Sequence, residues 1–269
     1  MVDASFVNEN EVVCMSPFVG SVGPRVVSVS NNGLDFGVSS SEFDFVDEPE
    51  INSIRPKRGS VAGGTVVTIT GAGFTSGEDS SCKFGEAGSS SISMIYVSEN
   101  EVHCVAPASA TAGSVDLELT FNGGDYASAG GGFEYILDAS FSSMSPQIGP
   151  VSGGTVVLIS GYNFVDSSDM SCKFGAGVVS ARFISMSQIE CVSPTSSSEF
   201  SVELLISQNG VDFATSSTPT TFTYQPTISI SSISPTFGPS SGNTQVTVAG
   251  TNFEFGEELA CKFGSGSSR

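Results

Sequence analysis

Residues 63–71 read Gly-Gly-Thr-Val-Val-Thr-Ile-Thr-Gly, and this stretch decides the fold of the chain. Val67 and Ile69 alternate with threonines, so one set of side chains is apolar and the other is polar. Such alternation is typical of a β-strand with one face in a core and one in water. The stretch recurs as Gly-Gly-Thr-Val-Val-Leu-Ile-Ser-Gly at 153–161 and as Gly-Asn-Thr-Gln-Val-Thr-Val-Ala-Gly at 242–250. The chain is therefore a tandem repeat with a period of about 90 residues.

Two further blocks recur in the same order around this stretch. One reads Cys-Lys-Phe-Gly, at 82–85, 172–175 and 261–264. The other contains a cysteine and ends in proline, at 11–17, 101–107 and 188–194. This order predicts the second half of one repeat (1–48), two whole repeats (51–136 and 140–226) and the first half of a fourth (229–269). Since half a sandwich cannot bury its own face, we expect a longer protein or, alternatively, capping halves that pair with something else.

Strand signals are dense and helix signals are almost absent. Alternating runs such as Val115–Leu119 are separated by Gly, Ser and Pro, which interrupt helical periodicity. Each repeat also carries an Asn-Gly pair between strand-like runs, at Asn32, Asn122 and Asn209, which predicts a tight hairpin. The pattern predicts an all-β chain of antiparallel, immunoglobulin-type sandwiches.

In order and spacing, these three blocks resemble the IPT/TIG domain family. The resemblance covers essentially all of the chain, in four tandem copies of which two are partial. It implies early-set immunoglobulin-like sandwiches in an elongated array. Members occur in plexin-type receptor ectodomains, in large cell-surface proteins, beside catalytic domains in secreted enzymes, and in some transcription factors.

The six cysteines follow the repeat. Each whole repeat holds two, Cys82 with Cys104 and Cys172 with Cys191, while Cys14 and Cys261 lack their counterparts within the chain. An even pair per repeat predicts one disulfide within each, and the resemblance to receptor-type IPT/TIG domains implies the same bridge. Free buried thiols and a metal site are the alternatives, although no two cysteines have zinc-finger spacing. Disulfides would indicate an extracellular or cell-surface location.

Charge and composition exclude several classes of function. The net charge is −19, with 28 acidic and 9 basic residues, so nucleic acid is not an expected partner. No apolar run is long enough to span a membrane. His103, the single histidine, is replaced by Val13 and Glu190 in the other copies, so it is not expected to be a catalytic base. The glycines at 59–64 lead into a strand rather than a helix, so they predict a turn in which glycines supply a positive φ, not a phosphate loop.

No catalytic, metal-binding or cofactor-binding residues are therefore expected. The sequence favours a non-catalytic rod that builds or spaces a surface filament, coat or appendage. Its partners would be other copies, neighbouring repeats, surface proteins or glycans. The alternative is a receptor or adhesin ectodomain that binds a protein or glycan. A third possibility is an accessory module of a secreted enzyme.

Overall fold

The computed structural model describes residues 1–85, 91–215, 220–253 and 259–264, and every regular element in them is a β-strand. The all-β prediction is thus confirmed. Two separate hydrophobic cores form, one within residues 51–135 and one within residues 139–224. The structure therefore contains two complete sandwiches, here called repeat 2 and repeat 3.

Residues 1–48 form two separate hairpins. Their strands are β1 (Ala4–Asn8), β2 (Glu11–Cys14), β3 (Gly23–Val29) and β4 (Gly37–Phe45). β1 pairs only with β2 and β3 only with β4, each in antiparallel register. Almost every side chain in these four strands is exposed.

Repeat 2 contains eleven strands. They are β5 (Glu50–Arg55), β6 (Arg58–Ser60), β7 (Val66–Ala72), β8 (Ser81–Phe84), β9 (Ser91–Ser93), β10 (Ile95–Ser98), β11 (Glu101–Val105), β12 (Gly113–Val115), β13 (Leu117–Thr120), β14 (Tyr126–Ser128) and β15 (Phe133–Ile136). One sheet has the order β10-β11-β7-β5 and the facing sheet has the order β14-β13-β8-β9. A third ladder, β12-β15-β6, contains the parallel pair β15 and β6.

Repeat 3 has the same plan with nine strands. They are β16 (Ser140–Ser145), β17 (Ile148–Pro150), β18 (Val156–Tyr162), β19 (Ser171–Phe174), β20 (Gly177–Ser185), β21 (Gln188–Val192), β22 (Ser201–Ser207), β23 (Phe213–Ala214) and β24 (Thr221–Gln225). Here β20 is continuous and pairs with β19 at one end and with β21 at the other. In repeat 2 the same path is divided between β9 and β10, which lie in different sheets.

The alternation in the deciding stretch sets which side chains enter the core. Val67 and Ile69 of β7 are fully buried, as are Val157 and Ile159 of β18. Beyond repeat 3, β25 (Ser229–Ser234) pairs with β26 (Thr247–Thr251), and their apolar side chains are not buried in this way. An X-Pro peptide bond is cis at the same position of each first half, before Pro56, Pro146 and Pro235.

Two local expectations need correction. The Asn-Gly pairs do lie in hairpins, but the loops between paired strands have five residues in repeats 2 and 3, which is longer than a tight turn. Gly59 does not supply a positive φ, although Gly63 and Gly64 do. Instead a Cβ at Gly59 would collide with Thr65 Oγ1 and the ring of Phe133, so glycine is required there for close packing.

Candidate functional site

The contact between repeats 2 and 3 is built on the five-residue loop between β22 and β23. Asn209 Oδ1 accepts hydrogen bonds from the backbone N–H groups of Val211, at 3.1 Å, and Asp212, at 2.9 Å. Its Nδ2 donates to Asp212 Oδ2 at 2.7 Å. Gly210 takes a φ of +80°, which glycine adopts without steric cost. These bonds fix the loop by its own side chains, an arrangement typical of asparagine in turns.

This loop reaches across to the start of repeat 2. Thr65 Oγ1 donates to Asp212 Oδ2 at 2.7 Å, and Asn209 Nδ2 also donates to the carbonyl oxygen of Arg58 at 3.1 Å. Thr65 is only 1% exposed and Asn209 is 6% exposed. Hydrogen bonds to a charged acceptor are stronger than neutral ones, and here the two donors are buried while the carboxylate of Asp212 remains exposed to water. We call the contact made by Arg58, Thr65, Asn209 and Asp212 the joint.

A second group of bonds holds the linker between the two repeats. Gln208 Nε2 donates to the carbonyl of Leu137 at 3.1 Å, while its Oε1 accepts from the backbone N–H of Val165 at 2.9 Å. Asn163, at a φ of 61°, donates its Nδ2 to the carbonyl of Asp138 at 3.1 Å. The linker is thereby tied to repeat 3 at two points.

Arg58 adds a charged contact at the rim of the joint. Its Nη2 lies 3.2 Å from Glu134 Oε2 within repeat 2, and its Nη1 donates to the carbonyl of Asp166 in repeat 3 at 3.3 Å. A cavity of about 120 Å³ lies beside the joint, lined in part by Ser60, Ile136 and Phe213. Ligand pockets are several times larger, so this cavity fits a joint better than a binding site.

The loops of the other copies share the internal geometry but not the surroundings. Asn122 Oδ1 accepts from the N–H groups of Gly124 and Asp125, and Asn122 Nδ2 donates to Asp125 Oδ2 at 2.8 Å. Asn32 and Asp35 make the same side-chain bond, also at 2.8 Å. Both of these loops are exposed. The loop conformation therefore does not depend on the contact between repeats.

The threonine side of the joint also recurs. Thr155 and Thr244 occupy the positions of Thr65, each with its Oγ1 against a glycine, Gly149 or Gly238. Thr155 is half-buried, whereas Thr65 is covered by repeat 3. Each repeat thus carries both sides of a joint, an acceptor loop and a donor threonine.

The structure brings both of the predicted cysteine pairs together. Cys82 of β8 is bonded to Cys104 of β11, and Cys172 of β19 is bonded to Cys191 of β21, with Cα–Cα distances of 6.2 Å and 6.4 Å. In repeat 2 the bridge joins the two facing sheets. Cys14 and Cys261 are free and exposed.

The remaining candidates form no reactive cluster in the described residues. His103 Nε2 lies 2.8 Å from Glu101 Oε1 on the same strand, within hydrogen-bonding distance, and both side chains are partly exposed. Within residues 1–85, 91–215, 220–253 and 259–264, no group of three or more His, Cys, Asp or Glu is placed to hold a metal ion. Across those same ranges no helix has the length and apolar character that a membrane crossing requires.

Two equivalent tyrosines differ in their hydrogen bonding. Tyr224 donates its hydroxyl to the carbonyl of Pro194 at 3.0 Å, and burial raises the pKa of this phenol. Tyr135 is buried at the matching position, and its hydroxyl has no hydrogen-bond partner among the described residues. Burial raises the pKa of Tyr135 to about 12.

The sequence alone does not predict the residues of the joint as a site. It predicts Asn209 only as a turn residue and gives no role to Thr65 or Asp212, nor to Gln208, which holds the linker. One signal was present, because an aspartate stands three residues after the asparagine in all three copies of the loop. The aspartate accepts a hydrogen bond within its own turn in every copy, so this signal does not mark which copy is docked.

Comparison with known proteins identifies the repeats. The family model described as "IPT/TIG domain" matches residues 49–135, 139–224 and 228–268. Fibrocystin-L of Homo sapiens is 29% identical over 253 residues, which is 92% of this chain and 6% of that protein. Plexin A3 of Danio rerio is 30% identical over 213 residues, which is 76% of this chain and 11% of that protein. The chain therefore spans only a small part of these relatives.

A solved structure with similar repeats is the full extracellular region of plexin A4. Its sequence is 17% identical to this chain. The match covers 96% of this chain and 23% of the plexin A4 chain, with a TM-score of 0.49. The matched relatives are extracellular regions, and disulfides persist in oxidising compartments. The prediction of an extracellular location is thus confirmed.

Proposed function

The chain belongs to the IPT/TIG domain family, and from this premise we propose that it is a non-catalytic segment of a receptor-type ectodomain. Its repeats would be held in a fixed relative orientation so that the segment presents surfaces to a protein ligand. Residues 51–136 and 140–226 would be the complete domains, and each would be crosslinked by one of the two disulfides. The observation that carries the proposal is the hydrogen-bonded joint between repeats 2 and 3.

The joint supports a fixed arrangement for a physical reason. Contacts between domains of one chain are often small and polar, so relative motion is the default expectation. Here Asp212 accepts from Thr65 and Asn209 together, and Gln208 holds the linker carbonyl. Bending the joint would break the hydrogen bonds that the buried Thr65 and Asn209 donate across it, to the exposed carboxylate of Asp212 and to the carbonyl of Arg58, at a cost of about 1 kcal/mol each. The joint thus resists bending.

The similarity to plexins and fibrocystin-L favours the receptor alternative over the filament or coat favoured by the sequence alone. The receptor and the filament hypotheses both require an array of joined repeats, so the fold does not decide between them. A receptor segment needs a heterologous ligand, whereas a filament needs only more of the same chain. This difference is measurable.

The deciding experiment uses the disulfide-bonded chain carrying Cys14→Ser and Cys261→Ser, which removes the two free thiols. We would measure its binding to arrays of secreted and cell-surface proteins and of glycans. Saturable binding to an individual protein, weakened when Thr65→Val and Asp212→Ala loosen the joint, is the expected result. The matched control, Asp125→Ala, changes an equivalent loop that lies outside the joint.

Regular fibres formed by this thiol-free chain, without saturable binding to any protein, would contradict the receptor proposal and favour the filament. Saturable binding to a glycan alone would replace the protein ligand with a carbohydrate one. Small-angle X-ray scattering of the joint variants reports separately whether the joint fixes the orientation of the two repeats.

A further inference from the structure

Asn209 belongs to an Asn-Gly step, the dipeptide in which an asparagine side chain reacts most readily with its own backbone. Glycine carries no Cβ, so its N–H is open to the side-chain carbonyl carbon of the residue before it. Asparagine is accordingly among the thermolabile residues of proteins. The same step occurs at Asn122 and Gly123 of repeat 2. The two complete repeats therefore each carry a candidate for spontaneous deamidation, at the same position of the fold.

The two asparagines have the same hydrogen bonds inside their own loops. Asn209 Oδ1 accepts from the hydroxyl of Ser207 at 3.1 Å as well as from two backbone N–H groups. Asn122 Oδ1 accepts from the hydroxyl of Thr120 at 3.2 Å and from the two corresponding N–H groups. Each Nδ2 donates to the aspartate three residues later. The following glycines share a left-handed φ, of +75° in repeat 2 and +80° in repeat 3. Local geometry therefore favours equal reactivity at the two steps.

The joint distinguishes the two asparagines. Asn122 is exposed, whereas Asn209 is only 6% exposed where it lies against repeat 2. Asn209 Nδ2 also donates to the carbonyl of Arg58, a bond for which Asn122 has no counterpart among the described residues. This nitrogen is the leaving group in deamidation, so a bond that holds it in place opposes the reaction. Deamidation at Asn209 therefore requires that the joint open first.

The reaction balances without an oxidant or an enzyme. The backbone nitrogen of Gly210 attacks Cγ of Asn209, so a C–N bond forms while the Cγ–Nδ2 bond breaks. The proton of the glycine N–H leaves with the side-chain nitrogen as ammonia, and a five-membered succinimide remains. Water then opens the ring at either of its two carbonyl groups. The product is an aspartate or an isoaspartate, and the sum of the steps exchanges one water for one ammonia.

The product is incompatible with the joint for an electrostatic reason. Asn209 Nδ2 donates to Asp212 Oδ2 at 2.7 Å and to the carbonyl oxygen of Arg58 at 3.1 Å. An ionised carboxylate in its place has no proton to donate and puts a second negative charge beside that of Asp212. Like charges at hydrogen-bond distance repel, and the carbonyl oxygen of Arg58 repels the new carboxylate as well. The modified loop therefore does not rebuild the contact.

From these observations we infer that Asn209 is a deamidation site controlled by the joint. A closed joint protects the side chain, an open joint lets it react with its own backbone, and the modified chain no longer closes. The joint thus changes irreversibly from a fixed to a loose connection, at a rate set by how often it opens. This property goes beyond the proposed receptor role and does not depend on any ligand.

The test compares the two asparagines within one molecule. The disulfide-bonded chain that carries Cys14→Ser and Cys261→Ser is aged at neutral pH, and peptide mapping by mass spectrometry follows aspartate and isoaspartate at each position. We expect Asn122 to convert at least about tenfold faster than Asn209, because only openings of the joint release Asn209. Asn122 is the internal standard, since its loop has the same bonds and lies outside the joint.

Variants outside both loops separate the joint from the loop. Thr65→Val removes the hydroxyl with which repeat 2 bonds Asp212, so it should raise the rate at Asn209 severalfold and leave the rate at Asn122 unchanged. Thr155→Val makes the same change at the equivalent position of repeat 3, outside the joint, and should alter neither rate.

A second measurement reads the consequence for the joint. Asn209→Asp copies the aspartate product, and small-angle X-ray scattering should show a broader distribution of distances between repeats 2 and 3. Asn122→Asp is the matched control and should leave the scattering unchanged. The same broadening should appear in the aged parent chain, in proportion to its conversion at Asn209, so the result does not depend on how well the variant folds.

Equal rates at the two asparagines, or no conversion at either, would overturn the inference. A rate at Asn209 that Thr65→Val leaves unchanged would overturn it too, since the joint would then not control the reaction. If the aged chain and Asn209→Asp both scatter like the fresh parent, the new carboxylate does not loosen the joint and the inference is wrong. None of these results decides the receptor proposal, whose test is saturable binding of a protein ligand.

Discussion

The loops Asn122–Asp125 and Asn209–Asp212 have the same internal hydrogen bonds but different surroundings. In repeat 2 the asparagine and aspartate are exposed, whereas in repeat 3 the asparagine is buried against the preceding repeat. The loop is therefore formed before it docks, so little conformational entropy is lost when the joint closes. One local motif serves as an exposed turn in one copy and as an interface in the next.

The largest expected effect tests whether the two repeats have equivalent cores. Phe133→Ala and Phe222→Ala each remove a fully buried ring, so each should destabilise its own repeat by about 3–5 kcal/mol. Urea unfolding followed by far-ultraviolet circular dichroism measures the loss. Val178→Ala, at an exposed position, is the control and should change stability by less than about 0.5 kcal/mol. A large difference between the two phenylalanines would show that the cores are not equivalent.

The next effect tests the joint directly. Asp212→Ala removes the shared acceptor of Thr65 and Asn209, and should cost about 1–3 kcal/mol in the docking of repeat 3 on repeat 2. Hydrogen exchange of the amides around Thr65 reports this loss. Asp125→Ala removes the equivalent carboxylate from an exposed loop and should leave the exchange at Thr65 unchanged. Equal effects of the two variants on repeat stability would mean that the carboxylate serves only its own turn.

The contrast between the loops also shows what could be predicted from sequence. Alternation in residues 63–71 predicts the strand and its buried face, because both depend on neighbours along the chain. The Asn-Gly pairs similarly predict the hairpins. The bond between Thr65 and Asp212 joins residues 147 positions apart, and it depends on how two finished sandwiches meet. Copies of one motif with identical local chemistry cannot reveal which copy is docked.

A smaller effect separates the two tyrosines. Tyr224→Phe loses the hydrogen bond to Pro194 and should cost about 1 kcal/mol. Tyr135→Phe removes a buried hydroxyl that has no partner among the described residues, so it should be neutral or slightly stabilising. Thermal unfolding of the two variants beside the parent chain measures both. If Tyr135→Phe lowers the stability as much as Tyr224→Phe does, the hydroxyl of Tyr135 has a hydrogen-bond acceptor.

The smallest effect is confined to alkaline pH and uses the same pair. Burial raises the pKa of Tyr135 to about 12 in the folded chain, while the unfolded phenol titrates near about 10. Because the folded state keeps the phenol neutral, this contribution to stability is fully present below pH 10. It is lost as the pH rises from about 10 toward 12, where the unfolded state releases the proton first. The urea concentration at the unfolding midpoint of repeat 2 should therefore begin to fall as the pH rises through about 10, and Tyr135→Phe should flatten that fall. If the slope is unchanged in Tyr135→Phe, the loss of stability at alkaline pH belongs to other groups. Tyr224 would then be the first to test, because burial also raises its pKa.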